Sequence, residues 1–558
     1  MRRLAPPLVA LGLLVPVAAP AQMPRELPMK WRPRATVPAI TSEDLMSRLY
    51  AFADDSLMGR AVGTPYNLKG AALIERELRR LGLRPAGENG TFYQDVPLIR
   101  RVPDARSALT VDGQPLRIWA DYFPRDQGPG ARPIDGAEVV YGGVWGDEAT
   151  LVPPEAAAGK VVVIAPAVGA DGAFTGFVPR SAVVGRYAAA AGILVAQADH
   201  LSVDDRLSYR EASVSLGTGA SASAPSLAYV TEAAALRILG ADPRGLRPGT
   251  PGRILRGALG FTSEPVPGRN VVAVLPGSDP RLRGQYVALG AHNDHDPPRA
   301  AAVDHDSLRI HNRFVRPGGA ETPDAAPTAE QRAGIRAALD SLRRSRPPRR
   351  DSIYNGADDD ASGSMGLLEV AEAMAGARRR PRRSVLFVWH TGEESGMLGS
   401  RYFTDHPTVP LDSVVAQLNV DMIGRGARDN PGKGPLYMEL IGSRRLSTEL
   451  GDLVEAVNRT GRHGFAFDYT LDADGHPANI YCRSDHWLYA RHGIPIAFFS
   501  TGGHQDYHMV TDEPQYIDFE HYRRSVQLIH DVAVRVSDLD HRVAVDKPKP
   551  DPNAPCRQ

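Results

Sequence analysis

The stretch FVWHTGEES, residues 387–395, decides how this fold is read. The apolar run 385–389 has the length of a buried strand, and Thr391-Gly392 breaks it before two adjacent carboxylates, Glu393 and Glu394. A hydrophobic core has no use for two like charges side by side. If a cation accepts one of them, the other stands beside it as a carrier of protons. A solvated loop would carry the same pair, so its meaning depends on what the neighbouring strands bring.

The pattern repeats on both sides. Runs 270–275, 286–289 and 414–420 are also apolar or alternating and of strand length, with helical patterns at 362–377 and 447–458. Strands alternating with helices imply an α/β layer fold with a mixed, largely parallel sheet, and such a sheet gathers ligands at the carboxyl ends of its strands. Chemistry-bearing residues stand there in the sequence. AHNDH follows the run 286–289 and carries His292, Asp294 and His295. A histidine two residues before an aspartate suits an imidazole that binds a cation through one nitrogen while the acid fixes the other. GADDDASG sets Asp358, Asp359 and Asp360 before a helix, more acid than a cap uses. Asp421 ends the run 414–420, and GGHQDYHMVTD, with His504 and His508, follows the run 494–499. With two cysteines in the chain, Cys482 and Cys556, a metal must be held by histidines and carboxylates. Whether these cysteines pair stays open.

The 558 residues leave room for two or three domains, and 65 basic residues balance 65 acidic ones, so no global field points to nucleic acid or an anionic membrane. Arg2 and Arg3, the apolar run 8–17 and Ala19-Pro20-Ala21 read as an export leader, residues 1–21. The mature protein is therefore expected to be periplasmic or secreted, with no integral membrane span. An extended arm at 22–40 leads to a helix starting at Thr41 and a second that Gly82 stops. Between 110 and 258 short β-like runs prevail (137–141, 160–164, 193–196, 226–230), with one Ala-rich helix near 186–191. That stretch reads as a binding or spacer module without chemistry.

The series AHNDH, GADDDASG, HTGEESG, NVDMIG and DYHMVTD resembles the co-catalytic di-zinc aminopeptidases of secreted bacterial type. GKVVVIAPA followed by GRYAAAAGILVA resembles the protease-associated domain inserted in several secreted peptidases. The resemblance implies a three-layer zinc-exopeptidase (phosphorylase/hydrolase-like) fold. Its catalytic domain would comprise 41–110 and 259–540, with a β-rich insert at 111–258 and a tail at 541–558. It implies two Zn²⁺ ions: one on His292 and Asp421, the other on Glu394 and His508, with Asp359 bridging. Glu393 would be the general base for a metal-activated hydroxide, Asp294 the acid orienting His292, and Tyr507 a donor to the oxyanion. Asp360 and Ser484-Asp485-His486 would stand behind the ligands, and His295, His390 and His504 would be hydrogen-bonded neighbours. The expected function is hydrolysis of N-terminal residues from peptides. The alternatives are a dipeptidase or glutamate-carboxypeptidase-like enzyme on the same site, a glutaminyl cyclase-like transferase, and a non-catalytic receptor-like binding protein.

One stretch departs from the family pattern. Residues 297–353 are longer than expected, with a helical TAEQRAGIRAALDSLRRS and the basic run RRSRPPRR. They read as a solvated excursion, or as a lid whose arginines (Arg343, Arg344, Arg346, Arg349, Arg350) meet acidic substrates.

Overall fold

Thr41 starts the first helix, α1 (Ser42–Phe52), its hydroxyl accepting from the Asp44 amide, and Leu45, Leu49 and Phe52 are buried on one face. In α2 (Pro65–Leu81) Thr64 caps the start, and Gly82 ends it in the left-handed region at φ 71°. The structure is a computed structural model that describes residues 27–558 except 105, 129, 170–172, 218–222, 323–324 and 427–432. The expected leader lies outside the described residues. Among them, no helix is long and apolar enough to cross a membrane.

The chain enters the β-rich segment and leaves it on paired strands: Leu98–Pro103 runs antiparallel to Phe261–Val266, and Ala108–Val111 to Leu255–Ala258. Between them lies a sheet of β1 (Tyr122–Arg125), β2 (Val139–Val144), β3 (Val161–Ala165), β4 (Gly192–Val195) and β5 (Ser226–Val230), in the order β1-β5-β4-β3-β2. Successive residues feed opposite faces, so Val161 and Val163 join one apolar cluster while Val162 and Ile164 join another. The Ala-rich helix expected near 186–191 lies earlier, at Arg180–Arg186. The alanines that follow form a turn, because the amides of Ala191 and Gly192 are drawn to the Lys160 carbonyl at the start of β4. A short helix, α3 (Val203–Ser208), follows β4 in the chain.

The second sheet resumes with β6 (Arg269–Leu275) and β7 (Tyr286–His292), and α4 (His305–Val315) and α5 (Ala329–Arg343) occupy the long departure. Then come α6 (Ala361–Gly376), β8 (Ser384–His390), β9 (Val414–Val420), β10 (Tyr437–Ile441), β11 (Ala466–Asp468), β12 (Ile496–Ser500) and α7 (Phe519–Ser537). This nine-stranded sheet has the order β6-β8-β7-β9-β12-β10-β11, with Arg84–Pro85 and Tyr93–Asp95 added beside β6. Its four central strands, β8, β7, β9 and β12, are mutually parallel; β6 and β10 flank them antiparallel. Helices α1, α2, α6 and α7 cover one face around Leu289, Phe387 and Trp389, and residues 480–494 cover the other around Leu386 and Val388. Both faces being covered explains why the central strands are continuous apolar runs.

Two expectations change here. Arg343 and Arg346 bind Asp306 (3.0 and 2.6 Å), and Arg349 binds Glu513 at 2.6 Å, so three of the five arginines expected to meet substrate are neutralised within the protein. The departure is also no free excursion: His305, Asp306, Arg309, Ile310 and Asn312 of α4 are buried. Cys482 and Cys556, left open by the sequence, form a disulfide that ties the tail to the domain.

Candidate active site

Because β7, β8, β9 and β12 run parallel, their carboxyl ends lie along one edge, and each delivers a residue there. His292 is the last residue of β7; Glu393 and Glu394 follow β8, Asp421 follows β9, and the loop from Ser500 to His508 follows β12. Asp359 arrives from the turn before α6, whose cap Asp360 accepts from the Gly363 amide. Arg60 holds that turn by donating to the carbonyls of Asn355 (2.7 Å) and Gly356 (3.1 Å).

Asp359 is the centre. Its Oδ1 lies 3.1 Å from His292 Nε2 and its Oδ2 3.1 Å from His508 Nε2. Asp421 Oδ1 stands 3.7 Å from His292 Nε2, and Glu394 Oε2 3.1 Å from His508 Nε2. Thus the five residues expected as ligands come together, in two groups that share one carboxylate. His292, Asp359 and Asp421 offer donor atoms within 4.8 Å of one another; so do Asp296, Glu394 and His508, and so do His295, Asp359 and Glu394.

The surroundings fit a cation. His508 Nε2 is buried between two carboxylates yet aligned in a hydrogen bond with neither, and Asp294 Oδ2 is buried without a partner. Burial opposes charge on Asp359, but His292 and His508 hold it well below the usual carboxylate range. Burial and Asp359 push Glu394 up, while His508 and His295 outweigh them and bring it down to about 2. Glu393 is raised well above an ordinary glutamate, first by burial and then by Glu394 and Asp421, although His292 opposes. So many carboxylates out of water are costly without compensating positive charge.

Behind the donors the second contacts differ in part from expectation. The His292 ring does not use the Asp294 carboxylate: Nδ1 pairs with the Asp294 main-chain oxygen at 3.1 Å, and the carboxylate, 3.8 Å away, accepts from the Glu393 amide at 3.1 Å. Asp294 therefore anchors the loop of Glu393, and burial pushes its pKa up to about 7. Asp296, which the sequence reading passed over, stands 3.2 Å from His508 Nδ1 and is the acid behind that ring. Ser484 donates to Asp421 Oδ2 at 2.7 Å, and Asp360 accepts from the His292 and Met422 amides. His390 pairs with Asp485 at 3.3 Å and His504 with Asp358 at 3.2 Å, as neighbours; His486 stacks on Phe498. His295 binds Glu394 at 2.6 Å. Tyr507 packs against His508 with the rings tilted at 49° and their centroids 4.1 Å apart, and burial keeps its phenol protonated.

Two residues missed in the sequence stitch the site. Asn67 donates to the Asn293 side chain at 2.9 Å and accepts from Thr391 at 2.9 Å, joining the loops of His292 and Glu393. Asp512 accepts from the amides of Asp358 and Asp359 at 2.8 and 3.1 Å. A fourth group of donors, His305, Asp351 and Glu513, lies elsewhere, but the Arg349 guanidinium at 2.6 Å from Glu513 already supplies its positive charge.

Known proteins resemble parts of this chain in sequence and most of it in fold. Residues 320–533 match the model of peptidase family M28. The chain is 38% identical over 155 residues to Leupeptin-inactivating enzyme 1 of Streptomyces exfoliatus, covering 27% of this chain and 31% of that protein. It is 31% identical over 128 residues to a probable leucine aminopeptidase of Arthroderma benhamiae, covering 22% and 32%. The chain thus spans about a third of the length of these relatives. A solved aminopeptidase from Aneurinibacillus sp. strain AM-1 superposes with a TM-score of 0.51 at 16% identity, covering 92% of this chain and 97% of the other, and so shares its fold. The stretch that matches the family model carries Asp359, Glu394, Asp421 and His508 of the cluster, while His292 lies ahead of it.

Proposed function

We propose that this protein is an exported zinc-dependent exopeptidase that removes N-terminal residues from peptides. The observation that carries the reading is Asp359: one carboxylate shared by two imidazoles from opposite sides, each with a further carboxylate beside it. His292 and Asp421 would hold one zinc ion, His508 and Glu394 a second, and Asp359 both. Bound there, the zinc supplies a Lewis acid that activates water and polarises a carbonyl. The chain does the rest. Glu393, held through its amide by Asp294, takes a proton from the attacking water and passes it to the leaving nitrogen. The Tyr507 hydroxyl, kept protonated, donates to the oxygen that gains charge. Asp296 and Ser484 fix the orientation of His508 and Asp421.

Two spaces flank the cluster, which supports release of one small unit at a time. A recess of about 80 Å³ lies beside Asp421 and Tyr507 with Leu471, Ile480 and Phe498 in its wall. A groove of about 430 Å³ lies on the other side, beside His508. The disulfide supports an oxidising compartment. Paired entry and exit strands, with two apolar clusters of its own, support the β-rich stretch as an inserted protease-associated-like unit.

The test is a metal count on the purified protein, together with hydrolysis of free-amine, N-blocked and C-blocked peptides with and without chelator. Two zinc ions per chain and chelator-sensitive cleavage of free-amine and C-blocked peptides are expected. Equal cleavage of N-blocked peptides would rule out the aminopeptidase reading.

A further inference from the structure

Of the five converging residues, His508 is the exposed one, with 34% of its side chain accessible against 1% for His292 and 4% for Asp359. His508 also lines the groove, so the groove reaches the cluster at that residue. Two distant parts of the chain build it. One is the segment after Asp296, with Pro297 and Arg299; the other is the end of α3 in the β-rich unit, with Asp205, Leu207 and Glu211. The inserted unit is therefore not remote from the chemistry; it forms a wall of the approach.

The charges of this groove are unevenly committed. Asp205 accepts from the Ser202 amide and hydroxyl as a helix cap, and Asp296 is taken by His508. Arg299 donates to the Tyr354 hydroxyl at 3.2 Å. Glu211 makes no ion pair and no side-chain hydrogen bond among the described residues, and it faces Asp296 across the groove. Partial desolvation, and then the negative charge of Asp296, raise its proton affinity. Leu207 on the same wall is left 42% exposed. An apolar strip next to an uncompensated carboxylate complements a chain carrying a long basic side chain, whose methylenes cover the one while its head meets the other.

We propose that this groove holds the stretch of peptide that follows the bond being cut, and that Glu211 makes it favour lysine or arginine there. The proposal rests on the exopeptidase reading, with the recess beside Asp421 and Tyr507 taking the residue released.

The experiment compares kcat/KM for Leu-Lys-Lys-Ala and Leu-Glu-Glu-Ala, with leucine p-nitroanilide as a substrate that leaves the groove empty. In the zinc-loaded wild type the lysine peptide should be cleaved about three- to tenfold better than the glutamate peptide. Glu211→Gln should shrink that ratio and Glu211→Lys should invert it. A ratio within one preparation is insensitive to inactive enzyme, which lowers both rates alike. A wild-type ratio near one, or the same ratio in Glu211→Lys, overturns the groove assignment while leaving the exopeptidase standing. Failure of the wild type to cleave any of the three overturns the exopeptidase reading and the groove with it.

Discussion

Glu393 and Glu394 are the same side chain one residue apart, yet their neighbours differ. Glu394 meets His295 at 2.6 Å and His508 at 3.1 Å, which hold it ionised; Glu393 has its proton affinity raised, first by burial and then by the charges of Glu394 and Asp421. The first is suited to hold a cation and the second to move a proton. Glu393→Gln is expected to keep full metal content while kcat falls by about 10²–10⁴, measured by metal analysis and steady-state kinetics on one sample. A second prediction concerns Asp296, the acid behind His508. Asp296→Asn should weaken binding of one zinc equivalent by about 10–100-fold and leave the other in place, read by competition against a chromophoric chelator. The AHNDH motif made His292 legible, although the ring takes the main-chain oxygen of Asp294 and leaves the carboxylate to the Glu393 amide. Asp296 escaped notice because its partner, His508, is brought to it by the fold.

At the scale of elements, the long departure earns its place as a support for the loop that carries Tyr507 and His508. Its contacts run along that loop: Ala320 to Gly503, Asn312 to Gln505, Arg309 to Asp506, and His305 with Arg349 to Glu513. Arg425, from the loop after β9, adds a 2.8 Å contact to Asp506. Glu513 is buried, and its pKa is lowered because His305 and Arg349 outweigh the opposing effect of burial. A carboxylate with a depressed folded pKa contributes stability above its ordinary value of 4.5, and that contribution is lost as pH falls through the folded value. Glu513→Gln should therefore cost about 3 kcal/mol at pH 7. The difference from wild type should narrow as the pH is taken from 7 to below 4.5, as followed by urea unfolding across that range. The helix α5 was readable from its cap and periodicity, Thr328 accepting from the Gln331 amide. The use of the basic run was not, since a charge run says nothing of which acids the fold will place opposite it.

At the scale of the whole molecule, two sheets with separate apolar clusters are joined by paired strands, and the tail is returned to the larger one. The disulfide closes a loop across a sequence separation of 74, and Gln558 accepts from the Tyr481 amide at 2.9 Å. The segment so held, around Leu471 and Ile480, walls the recess beside Asp421. In the chain-entropy model such a crosslink contributes about 4 kcal/mol. The Cys482→Ser, Cys556→Ser variant is accordingly expected to melt at lower temperature than the oxidised wild type. Reductant should lower the wild type towards it and leave the variant unmoved, as calorimetry would record.

What the sequence by itself determined was local. Apolar runs marked the strands, the breaks after them marked the loops, and the acids and histidines in those loops named the chemistry. Parallel strands carry their carboxyl ends to one edge, so that much of the convergence followed from the alternation of strand and helix. The tertiary structure alone decided the pairings between segments far apart in the chain. Asp359 lies between two imidazoles, Asp296 behind one of them, Arg60 and Asn67 across the loops, and Glu211 opposite the mouth. Composition and spacing carry no record of such contacts, because a salt bridge or a groove wall depends on which surfaces packing brings face to face.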